Sequence, residues 1–125
     1  MQIQLKRVYA PALAEDGLRV LVDRLWPRGI KKVDLAYDIW AKTVAPSAAL
    51  RKWYHDNPAL RWDDFKQQYW LELKSNAEIP SFVKDMLNQK VVTLLYAAKD
   101  EQQNHAIILK SFLESVISAD KTTKK

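Results

Sequence analysis

Polar and apolar residues alternate from Ile3 to Val8, with Ile3 and Leu5 on one side and Gln4 and Lys6 on the other, which is the two-residue period of a strand. Leu18 to Leu25 is apolar and branched around Val20, Leu21 and Val22, and reads as a second strand. Val91 to Tyr96 is apolar almost without interruption, the pattern of a strand buried on both faces at the centre of a parallel sheet. Ile39 to Val44 reads as a further short strand.

Helical periods fill the intervals. Ser47 is placed to cap a short helix carrying Leu50 and Trp53, and Asn57-Pro58 sets a capping side chain before a proline suited to a first helical position. Trp62, Phe65, Tyr69 and Leu73 then fall on one stripe. Ile79, Phe82, Val83, Met86 and Leu87 form another, entered through Pro80. Asp100 and Gln103 have capping-box spacing ahead of a last helix through Leu109, Phe112, Leu113, Val116 and Ile117. Strands interleaved with helices predict an α/β fold. The expectation is a single compact domain over 1–118, with a small, mostly parallel sheet flanked by helices and Val91–Tyr96 central, then a basic disordered tail over 119–125.

Composition removes several classes of chemistry. With no cysteine among 125 residues, neither a disulfide framework nor a thiolate metal site exists. Two histidines fifty positions apart lack metal-ligand spacing, and two glycines cannot build a phosphate-cradling loop. No nucleophile elbow or helix-turn-helix is legible. No metal or cofactor is expected. No apolar run approaches the ~20 residues of a membrane span, and Met1 to Gln4 does not begin a signal peptide, so a cytoplasmic location and no membrane partner are expected.

Charge shifts attention to the first quarter of the chain. Residues 1–32 hold seven Lys or Arg against three acids, whereas 33–119 are nearly balanced. An anionic partner is the natural complement of such an excess. Within it, Asp23-Arg24-Leu25-Trp26-Pro27-Arg28-Gly29 forms an ordered turn after the second strand, since Pro27 restricts the backbone and Gly29 releases it. Arg24 and Arg28 offer planar forks for phosphate or carboxylate, and Trp26 a stacking face. The competing reading pairs Asp23 with an arginine and buries Trp26.

A second segment, Tyr96 to Asp100 and then Asn104-His105, runs from the central strand into the last helix, whose N-terminus favours anions. Open α/β sheets bind ligands beyond the carboxyl ends of their strands, so both segments should meet at one edge. The candidate ligand-binding residues are Arg7, Arg24, Trp26, Arg28, Tyr96 and Asn104. The candidate proton-transfer residues are His105, Asp23 and Asp100, with His105 also readable as a structural loop anchor and Asp100 as a cap. Trp53-Tyr54-His55-Asp56 reads first as core aromatics on a helix, though His55 is placed to line a cleft.

These residues carry a resemblance. Lys6-Arg7-Val8-Tyr9, Asp16-Gly17, Arg19 through Gly29, Ala45-Pro46-Ser47, Thr93 through Lys99 and Asn104-His105-Ala106 are similar to the YeaO-like family, DUF488. The likeness covers almost the whole chain except the basic tail. It implies a compact bacterial α/β domain and brings no substrate with it. Two classes of function follow from the residues: a site for an anionic, perhaps nucleotide-like small molecule, with catalysis left open, or a nucleic-acid-binding or regulatory module built on the basic N-terminal quarter. The balanced charge of 33–119 favours the first.

Overall fold

The chain is described from a computed structural model that covers residues 1–123, with side chains to position 119. Four strands, β1 (Gln2–Arg7), β2 (Leu18–Leu21), β3 (Ile39–Trp40) and β4 (Val91–Tyr96), make one sheet in the order β1-β4-β2-β3. Every pairing is parallel, and β4 bonds to neighbours on both sides, as its unbroken apolar run requires. Four helices follow the predicted stripes: α1 (Ala48–Asp56), α2 (Pro58–Lys74), α3 (Ile79–Met86) and α4 (His105–Thr123). Because α4 runs to Thr123, only positions 124–125 and the side chains from 120 onward of the expected basic tail lie outside the described residues. No helix among the described residues is long and apolar enough to cross a membrane.

Several local expectations need correcting. β2 stops at Leu21 rather than Leu25, because the chain leaves the sheet once Val22 N–H has bonded Leu95 O. β3 keeps two residues; Lys42–Val44 is instead a 3-10 turn, and the Tyr69 hydroxyl donates to Val44 O at 2.6 Å. Ser47 caps α1 as expected, its hydroxyl accepting from Leu50 N–H while Glu72 holds Ser47 from both N–H and hydroxyl. Asn57 makes no side-chain cap; the Pro58 start and the Asn57 carbonyl, which accepts from Arg61 N–H, suffice. Asp100 accepts from Gln102 and Gln103 N–H and so shapes the turn before α4. The cap itself is Asn104, whose Oδ1 accepts from Ile107 N–H.

The helices do not flank both faces. Val20, Val22, Val92, Leu94 and Tyr96 point to one face, where α1 to α4 contribute Tyr54, Phe65, Tyr69, Met86, Leu109 and their neighbours to the main core. The other face, with Leu21 and Leu95 in register, is covered by Trp40 of β3 and roofed by loops carrying Leu35 and Trp26. Toward its amino end it holds buried Asp16, which takes bonds from Leu13 N–H, Lys6 Nζ and Arg19. Burial pushes the Asp16 carboxyl up, but those three donors outweigh it and hold it below the ordinary value. Gly17, at φ +64°, leads into β2; a Cβ there would lie 2.2 Å from Val91 O, so only glycine fits.

Candidate functional site

In a parallel sheet all carboxyl ends share one edge. From there the chain after β2 turns toward β3, whereas α4, following β4, packs back against β4 and β1. Loops leaving adjacent strands in opposite directions open a crevice between them. A cavity of about 570 Å³ lies there. The turn 23–28 forms one wall and the β4–α4 connection the opposite one, while Ala45-Pro46 and the inner side of α1 close the rest.

Asp23 and His105 join the two walls. Asp23 Oδ2 accepts from Ala97 N–H at 3.0 Å. Its Oδ1 is buried 3.2 Å from His105 Nε2, within ion-pair range but without hydrogen-bond geometry. The same Nε2 lies 3.0 Å from Val22 O. Both neighbours are acceptors, so Nε2 carries the proton and Nδ1 is the nitrogen left over. The expected acid–base pair is therefore present as a contact, and both members also tie the β2 end to the β4–α4 connection.

The arginines are divided between framework and cavity. Arg24 donates from Nε to Pro46 O at 3.1 Å and from one terminal nitrogen to Ala45 O at 3.3 Å. This uses the side-on edge of the guanidinium and leaves the end-on edge available. Arg7 repeats the device on Ala98 O and Ala97 O, at 2.9 and 3.2 Å, but does not line the cavity. Arg28 is exposed at the mouth, where its carbonyl accepts from the Tyr9 hydroxyl. Trp26 lines the cavity, yet its indole N–H donates to Ile30 O and its ring packs edge-on against Tyr37 and Trp40.

Asp23, Arg24, Trp26, Arg28, Asn104 and His105 thus converge on one cavity, while Arg7, Tyr96 and Asp100 do not line it. Tyr96 is buried in the main core, and burial followed by the nearby Glu101 pushes its phenol above the ordinary value. Asn104 lines the wall with its amide already committed to Asp100 O and Ile107 N–H. His55, placed by its sequence position to line a cleft, does line the cavity, and so do Arg51 and Lys99, which are not among the candidate residues named above. The available signal was Arg51 four positions before His55, which sets both on one helical face. Partial desolvation on the cavity side, then Arg51 and His105 nearby, lower the His55 pKa below its ordinary value.

The cavity therefore gathers Arg24, Arg28, Arg51 and Lys99 against one lining carboxylate, Asp23. Among the described residues, none of these four cations has a carboxylate within ion-pair distance.

A family model described as the inactive DUF488-N3 subclade matches residues 2–125. The uncharacterised protein YeaO of Escherichia coli (strain K12) is 47% identical over 116 residues, spanning 93% of this chain and 100% of that protein. Two mycobacterial proteins, Rv3073c of Mycobacterium tuberculosis (strain ATCC 25618 / H37Rv) and Mb3100c of Mycobacterium bovis (strain ATCC BAA-935 / AF2122/97), are each 41% identical over 112 residues, 90% of this chain and 93% of theirs. No solved structure matches.

Proposed function

The chain belongs to the inactive DUF488-N3 subclade, and from that premise we propose that it is a binding protein, holding an anionic small molecule in the cavity at the carboxyl edge of the sheet without turning it over. The observation that carries this reading is the cation excess of the cavity lining, unrelieved by ion pairs. Like charges gathered in a concave site raise the potential there and attract counter-charge. The neighbouring α4 N-terminus adds to that potential.

Binding without turnover fits what the lining lacks. Serine, threonine and cysteine are all absent from it. Its one carboxylate and His105 are occupied with Ala97 N–H and Val22 O, which suits anchoring better than proton transfer. The nucleic-acid alternative asks for an exposed basic surface. Of the seven basic residues in 1–32, Lys6 and Arg19 pair with Asp16, and Arg7 and Arg24 hold loop carbonyls. More than half of that charge is therefore framework.

A thermal-shift screen of phosphate- and carboxylate-bearing compounds tests the proposal. An anion at a hundred times its Kd should stabilise the protein by ~2.7 kcal/mol. Arg28→Ala should weaken that binding roughly ten- to a hundredfold, the loss of one charged hydrogen bond. A screen without a stabilising anion, or an Arg28→Ala protein that binds as well as the parent, overturns the reading.

A further inference from the structure

Resting on that reading, we infer that the bound anion is a phosphate ester, its phosphate group seated between Arg51 and His55 on α1 and His105 at the first turn of α4. The placement comes from a ladder of rings packed behind the cavity, of which Tyr54 and Phe65 line it and Tyr69 lies in the core. Tyr54 stacks on Phe65 with centroids 4.3 Å apart, and Phe65 on Tyr69 at 6.0 Å. His55 meets the Tyr54 end edge-on at 5.5 Å, and His105 meets the Tyr69 end edge-on at 6.3 Å. Tyr54, Phe65 and Tyr69 are all buried, so the ladder is part of the core and fixes both imidazoles relative to the cavity. Arg51, one helical turn before His55, adds a guanidinium to the same helical face and the same lining.

The arrangement favours phosphate over carboxylate by its shape. A planar carboxylate is satisfied by the fork of one arginine. Here groups from two elements line one cavity: a guanidinium and an imidazole from α1, and from α4 the His105 ring, whose Nε2–H is spent on Val22 O and which donates from Nδ1 once the anion draws a second proton onto it. Such convergence suits an anion with three acceptor oxygens pointing in different directions. Asp23, the one carboxylate in the lining, is held by Ala97 N–H and His105 on the opposite wall. Partial desolvation, then the neighbouring Arg51 and His105, lower the His55 pKa below its ordinary value. An incoming dianion reverses that shift. The rest of the mouth is ringed by Tyr9, Leu25 and Trp26, with Tyr9 and Leu25 largely exposed, so the phosphate belongs to a molecule with an apolar or planar body.

Calorimetric titration of inorganic phosphate, phenyl phosphate and benzoate, with NMR of the two histidine rings, tests this inference. Phenyl phosphate should bind at least tenfold more tightly than benzoate, and the His55 and His105 ring resonances should move together. Arg51→Gln should weaken phenyl phosphate ten- to a hundredfold and leave benzoate unchanged; its exposed position protects the fold, and His55→Gln serves as an independent second variant. Equal binding of benzoate and phenyl phosphate, insensitive to Arg51→Gln but lost in Arg28→Ala, overturns the phosphate assignment while the anion-binding reading stands. Phosphate binding that leaves both imidazoles unmoved overturns the placement. If none of the three compounds binds, both readings fall.

Discussion

The two faces of the sheet are built by different physics. On one, helices bring regular apolar stripes onto Val20, Val22, Val92 and Leu94, and their backbone polar groups are already satisfied within the helices. On the other, loops cover Leu21 and Leu95 and bring backbone carbonyls that have no partner of their own. Donor-only side chains meet that need. Arg19 Nε donates to Ala36 O, Trp26 to Ile30 O and Trp40 to Asp23 O, and at the carboxyl edge Arg7 and Arg24 do the same for the loops beside the cavity. An arginine or tryptophan in a loop-built region is thus first a fastener, and only its unengaged edge is available to a ligand.

The contrast predicts a ranked set of losses. The largest should come from the helical face: Phe65→Ala, which removes a ring stacked between Tyr54 and Tyr69, should cost ~3–5 kcal/mol by denaturant unfolding. A loss below ~1 kcal/mol would place Phe65 outside the core and dissolve the comparison.

Next comes the polar end of the loop face. Asp16→Asn leaves buried Arg19 and half-buried Lys6 without their counter-charge and should cost ~2–4 kcal/mol at neutral pH. Because the Asp16 pKa is lowered by folding, its contribution is complete above the unfolded carboxylate value of ~3.9 and is lost as the pH falls through the lower folded value. The stability gap between Asp16→Asn and the parent should therefore close in strong acid. A gap that stays constant to pH 2 would show that the carboxylate charge contributes nothing.

The smallest effects sharpen the division between fastener and ligand group. Trp26→Phe keeps an aromatic ring but strands the Ile30 carbonyl, and should cost ~1 kcal/mol. Arg28→Ala, at an exposed side chain with no ion pair among the described residues, should change stability by less than ~0.5 kcal/mol. A Trp26→Phe loss as large as that of Phe65→Ala would mean that both faces are held in the same way.

Regular elements were legible because their periods are local: β1, β4, and the stripes of α2, α3 and α4 are where the pattern puts them. The one-sided helical cover was not, since the sequence of an apolar strand says that both faces are buried but not by what. The convergence of Asp23, Arg24, Arg28, Asn104 and His105 followed from the parallel topology. The loop-fastening use of Arg7 and Arg24 did not, because a guanidinium aimed at a carbonyl and one aimed at a ligand look identical in sequence. Arg51 and Lys99 escaped for the opposite reason: an exposed cation reads as solvated surface until the fold curves that surface into a cavity.

The position of β4 has a further consequence, for the order of assembly. β1 and β2 never touch as strands; each bonds instead to β4, with Gln2 meeting Val91 across most of the length of the chain. A polypeptide emerging from the N-terminus holds two strands whose shared partner is still to come, and until then its parallel pairing is confined to the two-residue ladder of β2 with β3. Closing such long loops costs entropy before any pairing repays it, so the four-stranded sheet cannot be complete until Val91–Tyr96 has taken its place between β1 and β2.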